Sequence, residues 1–230
     1  MNDILLQGKN IYFRYSDKSP QILKNINIGL QSGKIIGIVG LSGSGKTTLM
    51  QILNGIIPKK IQGLYEGRVL IKGEDISKKE MGNISREIGT VFQDPDTQII
   101  FSCVEDEMAF GPENLCIEKE DILKKIEEVL DILDIKHLRY RNPNKLSGGE
   151  KQLVVIASIL TLDVNILILD ECMSQIDDKG KVLIKKGIEK LRDSGKGIIM
   201  VEHDLDNLSI ADDIFVLNEG ELKIFEGTLV

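Results

Sequence analysis

Residues 40–48 read GLSGSGKTT, and these residue types at this spacing can hold an anion. Gly40, Gly43 and Gly45 let the backbone fold around a charged group, with Ser42 and Ser44 between them. The NH groups of Gly43, Ser44, Gly45, Lys46, Thr47 and Thr48 then point inward, beside the positive end of the following helix. Lys46 adds a point charge on the β and γ phosphates, and the Thr47 hydroxyl is placed to ligate Mg²⁺. The stretch fits GxxxxGK[ST], a phosphate-binding loop, and predicts a nucleoside triphosphate site.

Three further stretches carry groups suited to the same chemistry. Asp170 and Glu171 close the apolar run ILILD at a carboxyl strand end, where ligands sit in open α/β sheets. Successive strand residues point oppositely, so Asp170 is expected to approach the Mg²⁺ and Glu171 to face an attacking water as general base. His203 follows another buried strand and is placed to hydrogen-bond the γ phosphate and the base. Ser147, Gly148 and Gly149, within LSGGEKQ, open a helix with a hydroxyl and backbone donors. They read either as a second anion cradle or as an ordinary Ser cap followed by flexible glycines.

These groups need a scaffold, and the hydrophobic patterning supplies one. Strands are expected at 4–15, 22–30, 67–76, 88–92, 166–171 and 198–201, with a closing hairpin over 214–225. The segment 77–87 reads as a charged connection. Pro95 and Gly111-Pro112 mark where the chain leaves the sheet. Ile122, Ile126, Val129, Leu130 and Leu133 recur at helical spacing, and a second apolar helix runs to Leu160. Tyr15, just before a turn-rich stretch, is either a half-buried strand residue or a platform for a purine ring. His137 has no evident partner and reads as structural or surface.

Composition sets outer bounds. The 230 residues are 42% hydrophobic and 28% charged, as in a globular protein that buries a substantial core. No apolar run is long enough to span a bilayer, and residues 1–10 carry charge where a signal peptide needs an apolar core, which predicts a cytosolic chain. A net charge of -7 disfavours general nucleic-acid binding. Cys103, Cys116 and Cys172 match no zinc or disulfide spacing and read as reduced, packed thiols.

Taken in order, the phosphate loop, Gln93 in FQDPDTQ, LSGGE at 146–150, the ILILDE strand and His203 resemble the nucleotide-binding subunit of an ABC transporter. FQDPDTQ followed by VEDEMAFGPENL further resembles the ATPases of energy-coupling-factor importers, the cobalt, nickel and vitamin uptake group, in which this region contacts coupling helices. The resemblance implies a P-loop NTPase fold of the α/β class, with an ABC-type core, an antiparallel β subdomain and an inserted α-helical subdomain. Its segments would be 1–93 and 161–230 for the core and β subdomain, and 94–160 for the helical one. It implies ATP and Mg²⁺, with Gln93 on the catalytic and metal side and Asp177 near nucleotide.

The same resemblance implies a head-to-tail dimer with a second ABC ATPase subunit, identical or not. Ser147 and Gly149 of one subunit would cap the ATP held by the other. It also implies a transmembrane coupling protein, a substrate-binding membrane component, and a place at the cytoplasmic face of the membrane. Residues 172–176 (CMSQI) depart from the family's usual loop, where only Asp177 matches cleanly; Leu153 and Glu202 depart as well. The stretch 227–230 ends where related subunits often continue. Two other readings stand beside the importer: a soluble ABC ATPase acting on DNA or ribosomes, and a regulatory half whose partner hydrolyses ATP.

Overall fold

The computed structural model describes residues 3–227; the chain end at 228–230, on which the expectation of a continuing segment bears, lies outside them. The chain opens with β1 (Ile4–Arg14), β2 (Leu23–Gln31) and β3 (Ile35–Val39), then α1 (Lys46–Leu53) and the short α2 (Ile56–Lys59). There follow β4 (Leu64–Ile71), β5 (Glu74–Asp75), α3 (Met81–Ser85) and β6 (Ile88–Val91). Three helices come next: α4 (Val104–Asn114), α5 (Lys119–Leu133) and α6 (Gly148–Leu160). The chain closes with β7 (Ile166–Asp170), α7 (Asp178–Asp193), β8 (Gly197–Glu202), β9 (Asp213–Asn218) and β10 (Glu221–Ile224).

The strands form an antiparallel sheet in the order β2-β1-β4-β5 and a larger one in the order β10-β9-β3-β8-β7-β6. The larger sheet is parallel except for β10, which pairs antiparallel with β9 at one edge. Its side chains alternate between two cores, as a pleat of period two requires. Ile35, Leu167, Leu169, Ile198 and Met200 pack with α4, α5, α6 and α7 on one face. Ile36, Ile38, Ile166, Ile168, Ile199 and Val201 pack with α1 and the antiparallel sheet on the other. With both faces covered, these strands read as unbroken apolar runs.

The expected elements are present with local differences. The single strand foreseen over 67–76 is a hairpin, because Lys72 at φ 49° and Gly73 at φ 84° turn the chain between β4 and β5. The 77–87 connection contains a 3-10 turn and α3. Gly111-Pro112 sits within α4, in the helical stretch where the chain has left the sheet between β6 and β7, and a side chain at Gly111 would crowd Leu162. The strand foreseen to Glu171 stops at Asp170, since Glu171 takes φ 51° and leaves the pleat.

Gly89, on β6, faces α6 with no room for a side chain: an added Cβ would lie 2.1 Å from Ile159 Cγ2. Gly89→Ala is expected to lower stability by about 1–3 kcal/mol through overpacking. A shift of the urea midpoint with an unchanged slope would report it.

Candidate functional site

The parallel strands deliver the chemical groups to one edge. β3 ends at Val39, paired with Glu202 of β8, and Asp170 of β7 pairs with Val201, so the chain segments after all three emerge side by side. After β3 the backbone turns through Gly43 at φ 77° and Gly45 at φ 104°, values open to glycine, and enters α1 at Lys46. A cavity of about 310 Å³ opens there, lined by Tyr15, Ile22, Ser42, Gly43, Gly45, Lys46, Thr47, Thr48, Glu171 and His203.

The cavity is preorganised for an anion. Lys46 is buried, and its Nζ donates to the carbonyls of Gly40 at 2.7 Å and Leu41 at 3.2 Å. Those carbonyls hold the ammonium at the loop. Ser44 Oγ is buried with no hydrogen-bond partner, a polar atom in want of a ligand. Gly40 itself does not line the cavity; a Cβ there would strike the Leu217 carbonyl at 2.5 Å. Tyr15 lies one residue beyond β1, half exposed, its edge against Phe13 and its hydroxyl 3.0 Å from Thr48 Oγ1. Anchored at the hydroxyl, the ring borders the cavity while staying accessible.

Across the cavity, His203 Nε2 lies 2.7 Å from Glu171 Oε2 and Nδ1 lies 3.5 Å from Lys46 Nζ. A ring protonated at Nε2 satisfies both contacts, because Nδ1 then accepts from the ammonium. Asp170 is raised to about 6 by burial and by the neighbouring Glu171, against the lowering influence of Lys46 and His203. Glu171 lines the cavity and Asp170 is not among its lining residues; Glu171 has left the strand at φ 51°, so strand alternation does not set the difference between them.

The other candidate residues lie apart from this cavity. Gln93 Nε2 donates to Ser174 Oγ at 3.0 Å, which ties the FQDPDTQ loop to the segment after Glu171. Ser147 caps α6 in a reciprocal box: its Oγ accepts from Glu150 N–H, and Glu150 Oε2 accepts from Ser147 N–H at 2.8 Å. Within one chain the cap reading of Ser147 therefore holds. Gly148 sits against Ile176, and a Cβ on Gly149 would come within 2.6 Å of Gly180 Cα, so α6 and α7 touch backbone to backbone. Asp177 caps α7 by accepting from Gly180 N–H at 3.0 Å. Cys172 is buried and its thiol is pushed well up by burial, in keeping with packing. His137 is exposed.

Sequence reasoning passed over Ile22, which lines the cavity together with Tyr15 and whose N–H donates to Phe13 O. Its signal was an apolar residue just before a strand, on the far side of the turn from an aromatic one. Gln152 was also passed over; its Nε2 donates to Phe92 O, joining α6 to the Gln93 loop, and Lys151 adds an ion pair to Asp96 at 2.7 Å. Glu202 was noted only as a departure, yet it is buried at the end of β8 and accepts from Met173 N–H and Asn207 Nδ2.

Comparison with known proteins places this geometry in context. The family model described as ABC transporter matches residues 23–174. The chain is 40% identical over 227 residues to the energy-coupling factor transporter ATP-binding protein EcfA of Methanosarcina acetivorans, covering 97% of this chain and 80% of that one. It is 36% identical over 222 residues to EcfA1 of Oceanobacillus iheyensis, covering 96% and 78%. Among solved structures it resembles cbiO1 from Clostridium perfringens, described as part of the ABC transporter complex cbiONQ, with a TM-score of 0.87 and 32% identity over 96% of this chain and 87% of that one.

Burial raises Glu202 from the ordinary 4.5 to about 7. Between those values the folded chain holds a proton that the unfolded chain has lost, so this group's contribution to stability falls as pH rises through the window. The melting temperature of Glu202→Gln relative to the parent chain is therefore expected to climb from about pH 5 to about pH 8. Thermal unfolding across that range measures it, and a difference independent of pH would refute it.

Proposed function

From the premise that the chain belongs to the ABC transporter family and is an ATPase of the energy-coupling-factor type that energises a membrane transporter, we propose how its residues divide that work. The observation that carries the reading is the cavity in which the phosphate loop, Glu171 and His203 meet. ATP enters with its phosphates on the backbone donors of 43–48 and the ammonium of Lys46, while Ser42, Ser44 and Gly40 shape the loop. Its base lies against Tyr15, in the part of the cavity that Ile22 also lines.

Thr47, Asp170 and Gln93 offer a hydroxyl, a carboxylate and an amide oxygen, the hard oxygen donors that suit Mg²⁺. Asp170, reluctant to ionise where it is, gains from a divalent cation beside it. When bound, Mg²⁺ neutralises developing charge on the phosphates. Gln93 joins this set on release from Ser174. Glu171 accepts the proton of the attacking water, and His203 holds Glu171 in place through the Nε2 contact and faces the γ phosphate.

Ser147, Gly148 and Asp177 lie exposed outside the cavity, with Gly149 buried beneath them against Gly180, and this face is the one offered to a second ABC ATPase subunit, whose ATP it completes. The helical segment 94–160 is read as a subdomain that meets the transmembrane coupling protein. Ile100 and Phe110 are exposed there and Phe92 is exposed just before it, and the buried Glu107 of α4 accepts from Ile100 N–H and Phe101 N–H at 2.8 Å each, which fixes the loop carrying Ile100 beside the helix carrying Phe110. Exposed apolar side chains on a hydrogen-bonded loop support a docking role. Among the described residues no helix is long and apolar enough to cross a membrane. The relatives' names as subunits of transporters support reading the chain as peripheral, at the cytoplasmic face. The relatives' names support the energy-coupling-factor part of this reading, and a cobalt, nickel or vitamin importer with a substrate-binding membrane component is our extension of it from the FQDPDTQ and VEDEMAFGPENL stretches.

Lys46→Ala is expected to weaken ATP binding by about ten- to a hundredfold, the loss of one charge-assisted contact to phosphate. Glu171→Gln should bind ATP as the parent does while turnover drops by about 10²–10⁴-fold, as for a removed general base. Nucleotide titration and phosphate release separate the two effects; parental turnover in Glu171→Gln would remove Glu171 as base. For the transport assignment, the tagged chain is recovered from gently solubilised membranes. Co-purification of a multi-span membrane protein is expected, and recovery of ribosomal or DNA-bound proteins alone would overturn the importer reading.

A further inference from the structure

Behind the Glu171–His203 pair lies a carboxylate that is not among the residues lining the cavity. Glu202 is the last residue of β8 and is 1% exposed. Its Oε1 accepts from Met173 N–H at 3.3 Å, two residues beyond Glu171. Its Oε2 accepts from Asn207 Nδ2 at 3.1 Å, four residues beyond His203, and Asn207 is itself 2% exposed. One side chain thus joins both segments that leave the strand ends with the reacting groups.

Those segments are poor in regular structure. Glu171 sits at φ 51° just outside β7, and Leu205–Leu208 is a single 3-10 turn. Outside a strand ladder or a long helix, a segment's position depends on individual bonds, and the backbone bond from Glu171 N–H to Val201 O at 2.8 Å is another of these. An apolar side chain at 202 would fill the core without the desolvation cost of a buried acid. What the carboxylate adds is directional bonding to two loops at once.

We propose that Glu202 is a positioning residue for ATP hydrolysis, its two oxygens fixing from behind the segments that carry Glu171 and His203. The proposal rests on the reading of Glu171 as the base. Loss of both tethers lets the pair drift relative to the phosphate loop, while the loop itself, on α1 and β3, stays as it is. The effect therefore falls on turnover and not on ATP affinity.

The test is steady-state hydrolysis of MgATP by the purified parent chain, Glu202→Leu, Glu202→Gln, Asn207→Ala and Glu171→Gln, with thermal unfolding of each. Glu202→Leu, close in volume and without acceptors, is expected to lower kcat by about ten- to a hundredfold, the scale of a small misplacement of reacting groups. Its KM for MgATP should stay within about twofold of the parent value. Glu202→Gln keeps an acceptor for Met173 and meets Asn207 once that amide turns, so it should recover most of kcat. Asn207→Ala, with one tether cut, should fall between.

Parental kcat in Glu202→Leu overturns the proposal. So does a loss of kcat matched by a rise in KM or by a fall in the folded fraction, or a Glu202→Gln variant as slow as Glu202→Leu. If Glu202→Leu does not fold, Asn207→Ala decides, and parental kcat in it is the overturning result. Undiminished hydrolysis by Glu171→Gln would remove the base and the proposal with it. An inactive Glu171→Gln beside an unaffected Glu202→Leu would end the positioning role alone.

Discussion

The parallel pairing of β3 with β8 and of β8 with β7 is the constraint on which the chemistry depends. Parallel strands end on the same side, so the loops that follow Val39, Asp170 and Glu202 share one edge even though up to 163 residues separate them in sequence. Slipping the register by one residue would exchange the two faces of a strand and bury the wrong side chains. The unbroken apolar character of Ile35, Ile36 and Ile38, and of the ILIL run in β7, does not itself distinguish the faces. Their distribution between two cores does, with the helices on one side and the antiparallel sheet on the other.

At that edge the helix α1 supplies the second requirement, a backbone arranged for negative charge before any arrives. The buried ammonium of Lys46, satisfied by the loop carbonyls, is a charge kept in position at low reorganisation cost. The contact from His203 to Glu171 does the same for the acidic side of the cavity. Two opposite charges and an imidazole thus form a line across the site, and its polarity runs from the phosphate loop toward the strand end.

Much of this was legible in the sequence because the relevant signals are local. The glycine spacing of 40–48, the apolar run ending in Asp170 and Glu171, and the helical period of 122–133 each state their own structure. What was hidden depends on residues distant in the chain. Ile22 joins the cavity only because the turn after Tyr15 folds it back, and Glu202 becomes a junction only because Met173 and Asn207, from two separate segments, both donate to it. The turn at Lys72-Gly73 and the left-handed Glu171 were missed for another reason: apolar alternation is blind to the sign of φ. Ser147 was readable as cap or cradle, and one chain on its own displays the cap.

The contact between Gly149 and Gly180 bears on how this face of the molecule can move. Side chains that interlock can slip by changing rotamers, whereas two backbones in contact have no such freedom. The starts of α6 and α7, with Ser147 on one and Asp177 on the other, are consequently the two tines of one stiff fork. A displacement of Ser147 therefore carries Asp177 with it, while the turn at 171–176 separates this pair from the strand that ends in Asp170.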